Sequence, residues 1–249
     1  MAGRRAVRLV WENDYARTFE VGADPDADRC FVKWSPIEFP LDLSAEAARM
    51  TWAAPFTPVP EVLELGSDET GTWLITRALP GRNAVEPHWV AEPATAVRAI
   101  GEGLRAMHAA LPVESCPFSW LAELRLDRSA SAVANGWAGP GDEWHQEHEH
   151  LSINQALELA ADIPPVDQLV VCHGDACAPN TLLTDDGRWS GHVDLGDLGV
   201  ADRWADLAVA TWSLEWNYGP GWDDLLLDAY GVAADPERTS YYRLLCDLG

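Results

Sequence analysis

The sequence predicts an α+β molecule in two lobes: a small antiparallel β-sheet carrying one helix, then a larger, mostly helical part. Three observations carry that prediction. As far as Ala78, short apolar runs alternate with turn signals, the pattern of strands and hairpins. Leu79-Pro80-Gly81 then interrupts the chain, and beyond it apolar residues recur at helical spacing. The lobes so divided are residues 1–79 and 80–249, with a ligand cleft expected between them.

Ala6 to Trp11, Thr18 to Val21 and Cys30 to Trp34 read as strands, the last two separated by the turn-rich stretch 22–28. Leu43 to Trp52 suits a helix, with Ser44 as its N-cap. Val59 to Leu65 and Thr72 to Ala78 are two further strands around the turn 66–71. In the second lobe, Ala94 to Leu111 sets Val97, Ile100, Leu104 and Met107 on one helical face. Leu121 to Val133 and Ile153 to Ala161 continue as helices, separated by a polar stretch with Gly136, Gly139, Pro140 and Gly141. The apolar pieces 169–172, 181–183 and 192–195 are short strands, the last two joined by an Asp-Gly turn into a hairpin.

Composition narrows the function classes. With 249 residues, 47% hydrophobic and 23% charged, the chain is neither a disordered tail nor a coiled coil. No run approaches a membrane span and the start MAGRRAVRLVWENDY has no apolar signal core, so a soluble cytoplasmic protein away from membranes is expected. Its net charge of −23 would repel a phosphate backbone, which excludes nucleic acid as a partner and favours cations. Five cysteines without a CxxC pair fit a reducing compartment. All seventeen basic residues except Lys33 are arginine. A lone lysine in an apolar-flanked strand is either a surface residue or a compact ammonium aimed at phosphate oxygens.

The segment VVCHGDACAPNTLL (170–183), followed by Gly191-His-Val-Asp194-Leu-Gly196, places Asp175, Asn180 and Asp194 at strand ends or in a loop. Converging oxygen donors of this kind call for a cation, and magnesium suits them. An aspartate, an asparagine five positions later and a second aspartate before a glycine form the spacing of base and metal ligands in protein kinases. An upstream strand lysine and a helical glutamate, Glu46, complete the order.

The runs VVCHGDACAPNTLL, HVDLGDLGVADRWADLAVA, SYYRLLCDLG, LDLSAEAARMTWA, PVPEVLELG and WLITRALPG together resemble aminoglycoside O-phosphotransferases, most of all the 3'-phosphotransferase (kanamycin kinase) branch. The resemblance implies a protein-kinase-like fold and transfer of the γ-phosphoryl group of ATP or GTP to a hydroxyl of a cationic sugar, conferring antibiotic resistance. By it, Lys33 would hold the α- and β-phosphates and pair with Glu46, and Thr76 to Ala78 would offer hinge backbone to the purine. Asp175 would orient the attacking hydroxyl, Asn180 and Asp194 would ligate Mg2+, and Asp206 would brace the catalytic loop. A monomer or weak dimer is expected.

A cationic acceptor gives the acidic surface a task. Asp142, Glu143 and Glu147 lie where the family carries an acidic insert, with Glu215 and Asp247 expected on the opposite wall; a solvated acidic loop is the alternative. His145, His148 and His150 raise a metal reading without clear ligand spacing. Trp137, Trp144, Trp212, Trp216 and Trp222 flank these segments, as core residues or as stacking faces.

The chain also departs from the family. Its phosphate-covering turn is Glu12-Asn13-Asp14-Tyr15-Ala16, without glycine and with two carboxylates that oppose close approach by ATP. Asp197 stands where an arginine is usual, and the chain ends Cys246-Asp247-Leu248-Gly249. Two other readings therefore stand beside the first: a kinase of another acceptor, such as a macrolide, choline or homoserine, and a kinase-like binding protein without turnover.

Overall fold

The computed structural model describes residues 6–22, 29–38, 41–135 and 144–249. The first lobe is built from β1 (Val7–Glu12), β2 (Arg17–Val21), β3 (Cys30–Pro36), helix α1 (Leu43–Ala53), β4 (Val62–Ser67) and β5 (Gly71–Arg77). Its strands form one antiparallel sheet in the order β1-β2-β3-β5-β4. Leu43, Ala47 and Met50 bury one face of α1, and Leu74 of β5 belongs to the same core.

Two short elements, β6 (Arg82–Asn83) and α2 (Pro87–Val90), lead into the long helix α3 (Pro93–Ala110). Then follow α4 (Ala122–Ala134), α5 (Ile153–Ala160), β7 (Leu169–Cys172), β8 (Thr181–Leu183), β9 (Trp189–His192), β10 (Gly199–Asp202), α6 (Trp204–Tyr218), α7 (Asp223–Tyr230) and α8 (Pro236–Asp247). The α+β architecture with a sheet-rich first part and a helical second part is thus the one expected. The predicted stripe Val97, Ile100, Leu104 and Met107 is entirely buried. At Gly101 the reason for glycine is spatial: a Cβ there would meet the Leu226 carbonyl oxygen at 2.6 Å, so its absence lets α3 lie close against α7. Among the described residues, no helix is long and apolar enough to cross a membrane.

Several boundaries differ from the sequence reading, each for a local reason. The N-cap of α1 is Asp42, whose Oδ1 accepts from the Ala45 amide at 3.0 Å and from the Ser44 hydroxyl at 2.5 Å, so Ser44 is already inside the first turn. Pro58 and Pro60 bracket Val59, and β4 begins only at Val62. The strand expected over 192–195 is β9 at Trp189–His192 instead. Asp194 adopts φ 63°, a left-handed conformation that cannot continue a strand. A strand the sequence did not announce, β10, pairs antiparallel with β7, setting Gly199 opposite Cys172.

Candidate active site

Lys33 is held in the middle of the first sheet, opposite Thr18 on β2 and Leu74 on β5. Its side chain leaves the sheet and meets two acids: Glu46 of α1, Nζ to Oε2 at 2.9 Å, and Asp194 of the second lobe, Nζ to Oδ1 at 2.6 Å. The ammonium thus bridges the lobes. Burial works against its charge, but Asp194 and Glu46 more than offset that, and its pKa stands above the ordinary lysine value. Burial pushes the Glu46 carboxyl up while Lys33 pulls it down, and Asp194 and Asp197 add further repulsion. One ammonium thus faces two carboxylates, with Asp197 acting on Glu46 as a further acid.

The catalytic segment follows β7. Gly174 has φ 91°, and a Cβ there would lie 2.4 Å from the Asp197 carbonyl oxygen, so the chain turns as only glycine permits. Fully buried Asp206, at the start of α6, accepts from the amides of His173 at 2.6 Å and Gly174 at 2.9 Å. His108 Nε2 meets the same carboxylate at 2.8 Å, and His108 Nδ1 meets the Tyr230 hydroxyl at 2.9 Å. Burial would raise the Asp206 pKa, but the hydrogen bond and charge of His108, then His173, hold it below the ordinary carboxylate value. On the far side of the segment the His173 ring nitrogen Nε2 reaches the Val193 carbonyl at 2.9 Å, which fixes the loop leading to Asp194. Asn180 Nδ2 donates to both the backbone oxygen and Oδ2 of Asp175, each at 2.9 Å. The Ala178 amide donates to Ser213 Oγ on α6 at 2.8 Å.

The donors fit magnesium. Because the Asn180 nitrogen is committed to Asp175, the amide must present its oxygen to any cation. Asp194 meets Lys33 through Oδ1 and has a second oxygen on a half-exposed side chain. An amide oxygen and a carboxylate are the hard ligands that Mg2+ takes alongside phosphate oxygens. Asp197 is a further acid here: burial, and then Asp175 and Asp194, raise its pKa against the pull of Arg49 and Arg125. The group of His108, Cys172 and Asp206, whose ligand atoms lie within 4.8 Å of one another, is instead the buried brace already described.

Two local geometries bear on the nucleotide side. Thr76 lies inside β5, paired with Phe31 on one side and Val62 on the other, and the Ala78 amide donates to the Arg29 carbonyl at 3.0 Å. The strand ladder has therefore taken the hinge amide of Ala78. At the phosphate-covering turn, Asn13 Oδ1 accepts from the Tyr15 and Ala16 amides at 2.9 and 2.8 Å. An asparagine side chain closes a turn that glycine would otherwise shape.

On the acceptor side, Asp142, Glu143 and Trp137 lie outside the described residues. Glu147 is exposed and accepts from Ser240 Oγ at 3.2 Å; Glu215 is exposed on α6. Asp247 is not a free wall carboxylate. Its Oδ2 lies 2.6 Å from His148 Nδ1 and it accepts weakly from the His145 amide, so it fastens the segment after residue 143 to α8. The histidines at 145 and 148 are thereby ring and hydrogen-bond partners, and Trp144 is core. Sequence reasoning missed His108, Tyr230 and Arg49, whose guanidinium donates to the Leu198 carbonyl at 2.9 Å and covers the Phe118 ring. Their pairing spans too many residues for spacing to reveal it.

A family model described as "Phosphotransferase enzyme family" matches residues 7–242. The chain is 39% identical over 220 residues to an aminoglycoside 3'-phosphotransferase of Streptomyces fradiae, covering 85% of this chain and 81% of that protein. It is 37% identical over 234 residues to the enzyme of the same description from Streptomyces ribosidificus, covering 90% and 87%. Among solved structures, an aminoglycoside-3'-phosphotransferase of type VIII superposes with a TM-score of 0.84 at 30% identity, covering 99% of this chain and 94% of that one. The aminoglycoside phosphotransferase APH(3'')-Id from Streptomyces rimosus, in complex with ADP and streptomycin, gives a TM-score of 0.75 at 27% identity, covering 99% and 94%.

Proposed function

The chain belongs to the phosphotransferase enzyme family, and from that premise we propose that it moves the γ-phosphoryl group of ATP or GTP onto a hydroxyl of an aminoglycoside, a reaction that confers antibiotic resistance. The observation that carries the reading is the bridge from Glu46 through Lys33 to Asp194, which supports Lys33 as the cation for phosphate between the two lobes. We divide those lobes at residues 79 and 80. The reaction belongs to the cytoplasm, where the nucleotide is.

Lys33 exchanges part of its contact with Asp194 for the α- and β-phosphates while Glu46 keeps the ammonium aimed. Asn180 and Asp194 would hold Mg2+, which when bound neutralises the phosphate oxygens. Asp175 has one carboxylate oxygen held by Asn180 at 2.9 Å, and in this reading the other meets the acceptor alcohol. It orients that hydroxyl and accepts its proton late, since a loose transition state needs little base strength. No phosphoenzyme is required.

A coupled nucleotide-consumption assay over a panel of aminoglycosides, with product mass, tests this. The expected result is acceptor-dependent turnover and a product heavier by one phosphoryl group. Asp175→Ala should lower kcat by about a thousandfold and leave nucleotide affinity little changed. Unaltered turnover in that variant would remove Asp175 from its role.

A further inference from the structure

Beside the catalytic segment, two stacked indoles and a tilted histidine ring form a cluster. Trp212 and Trp216, one turn apart on α6, have ring centroids 5.4 Å apart at an interplanar angle of 30°, and His145 lies 4.4 Å from Trp212 and 6.5 Å from Trp216. Trp212 is buried, held beneath by the Arg243 guanidinium 5.7 Å from its centroid. Trp216 is the open end of the stack, 60% exposed. Between them in sequence, Ser213 anchors the catalytic segment by accepting from the Ala178 amide. The exposed indole therefore stands on the helix that carries the loop of Asp175 and Asn180.

The charges around this stack are already spent on one another. Asp247 faces His148 at 2.6 Å and Asp223 faces Arg243 at 3.5 Å. Drawing enclosed Asp247 to a ligand ammonium would strand His148, while the Asp223 contact is longer and half-exposed. What the wall still offers is an indole face, with the exposed carboxylate of Glu215 next to it in the chain.

We propose that Trp216 is an acceptor-binding residue, on which an amino-sugar ring of the acceptor lies with its C–H bonds and ammonium against the indole face, while Asp247 has a structural duty. This rests on the phosphotransferase reading and gives it a recognition element. Sugar faces and ammonium groups are both attracted to the electron-rich face of an indole, Trp being the best of the aromatic side chains for this. The rigid stack beneath means little side-chain freedom is lost on binding.

The test compares wild type with Trp216→Ala and Trp216→Phe, using kanamycin as the probe acceptor. Trp216→Ala should raise the acceptor KM roughly tenfold with kcat and nucleotide KM unchanged, and Trp216→Phe should recover most of that loss. Indole fluorescence should be quenched by kanamycin in wild type, and the quench should vanish in Trp216→Phe although that variant still binds. Equal acceptor KM in Trp216→Ala, or a quench that persists in Trp216→Phe, would overturn the proposal. Fluorescence needs no turnover, so the two readings fail separately: a Trp216-dependent quench without phosphoryl transfer sinks the kinase assignment and keeps the platform.

Discussion

Asp197 shows how much one side chain can trouble a site. It is largely buried near Asp175 and Asp194, and both burial and those like charges raise its pKa. An acid whose folded pKa is raised binds its proton better in the folded state, so its ionised form costs stability. That cost is absent below the ordinary carboxylate value, grows as pH rises from there, and is complete above the folded pKa. Asp197→Asn should therefore raise Tm at neutral pH, and the gain should disappear as pH falls through the carboxylate range. Thermal melts of both proteins across that range check the sign. Asp206 behaves oppositely: its depressed pKa contributes stability above the ordinary carboxylate value and loses it as pH falls.

Among the elements, α1 has the most to do in proportion to its length, since it carries Glu46 to Lys33. Its first turn is capped by Asp42, and the Ser44 hydroxyl followed by the Ala45 amide holds that carboxylate below its usual pKa. Asp42→Ala should cost about 1 kcal/mol in chemical denaturation, a loss expected at neutral pH and not in acid, where the cap is protonated. The sequence displayed α1 and its glutamate clearly but pointed to Ser44, because two capping residue types stand two places apart and only the backbone decides between them. The order Lys33, Glu46, Asp175, Asn180, Asp194 was legible because phosphoryl transfer demands those residue types in that spacing. The Asp194 loop was not: its left-handed backbone appears in no periodicity, and an apolar run there looks like a strand. The partner of Asp247 was hidden for a related reason. An acid near the chain's end advertises its charge, while the His148 ring that it meets is nearly a hundred residues away.

At the scale of the whole molecule, the net charge of −23 sets how ligands arrive. A strongly acidic surface draws a polycationic acceptor inward, and salt weakens that pull because the Debye length contracts to about 8 Å at physiological ionic strength. The ratio kcat/KM for an aminoglycoside should fall as salt is raised, chiefly through KM; steady-state kinetics in a salt series measure it, and a flat profile would indicate an uncharged acceptor. The nucleotide meets the same field with the opposite sign and relies on Lys33.

That lysine is unaccompanied in the whole sequence, and its side chain, 17% exposed, lies between the lobes. An acylating or sulfonylating purine analogue would find a single side-chain amine to modify, but Asp194 and Glu46 hold it protonated, so capture proceeds through the neutral amine and quickens as pH rises. Covalent capture of this protein by such a reagent would be site-selective without any engineering of the chain.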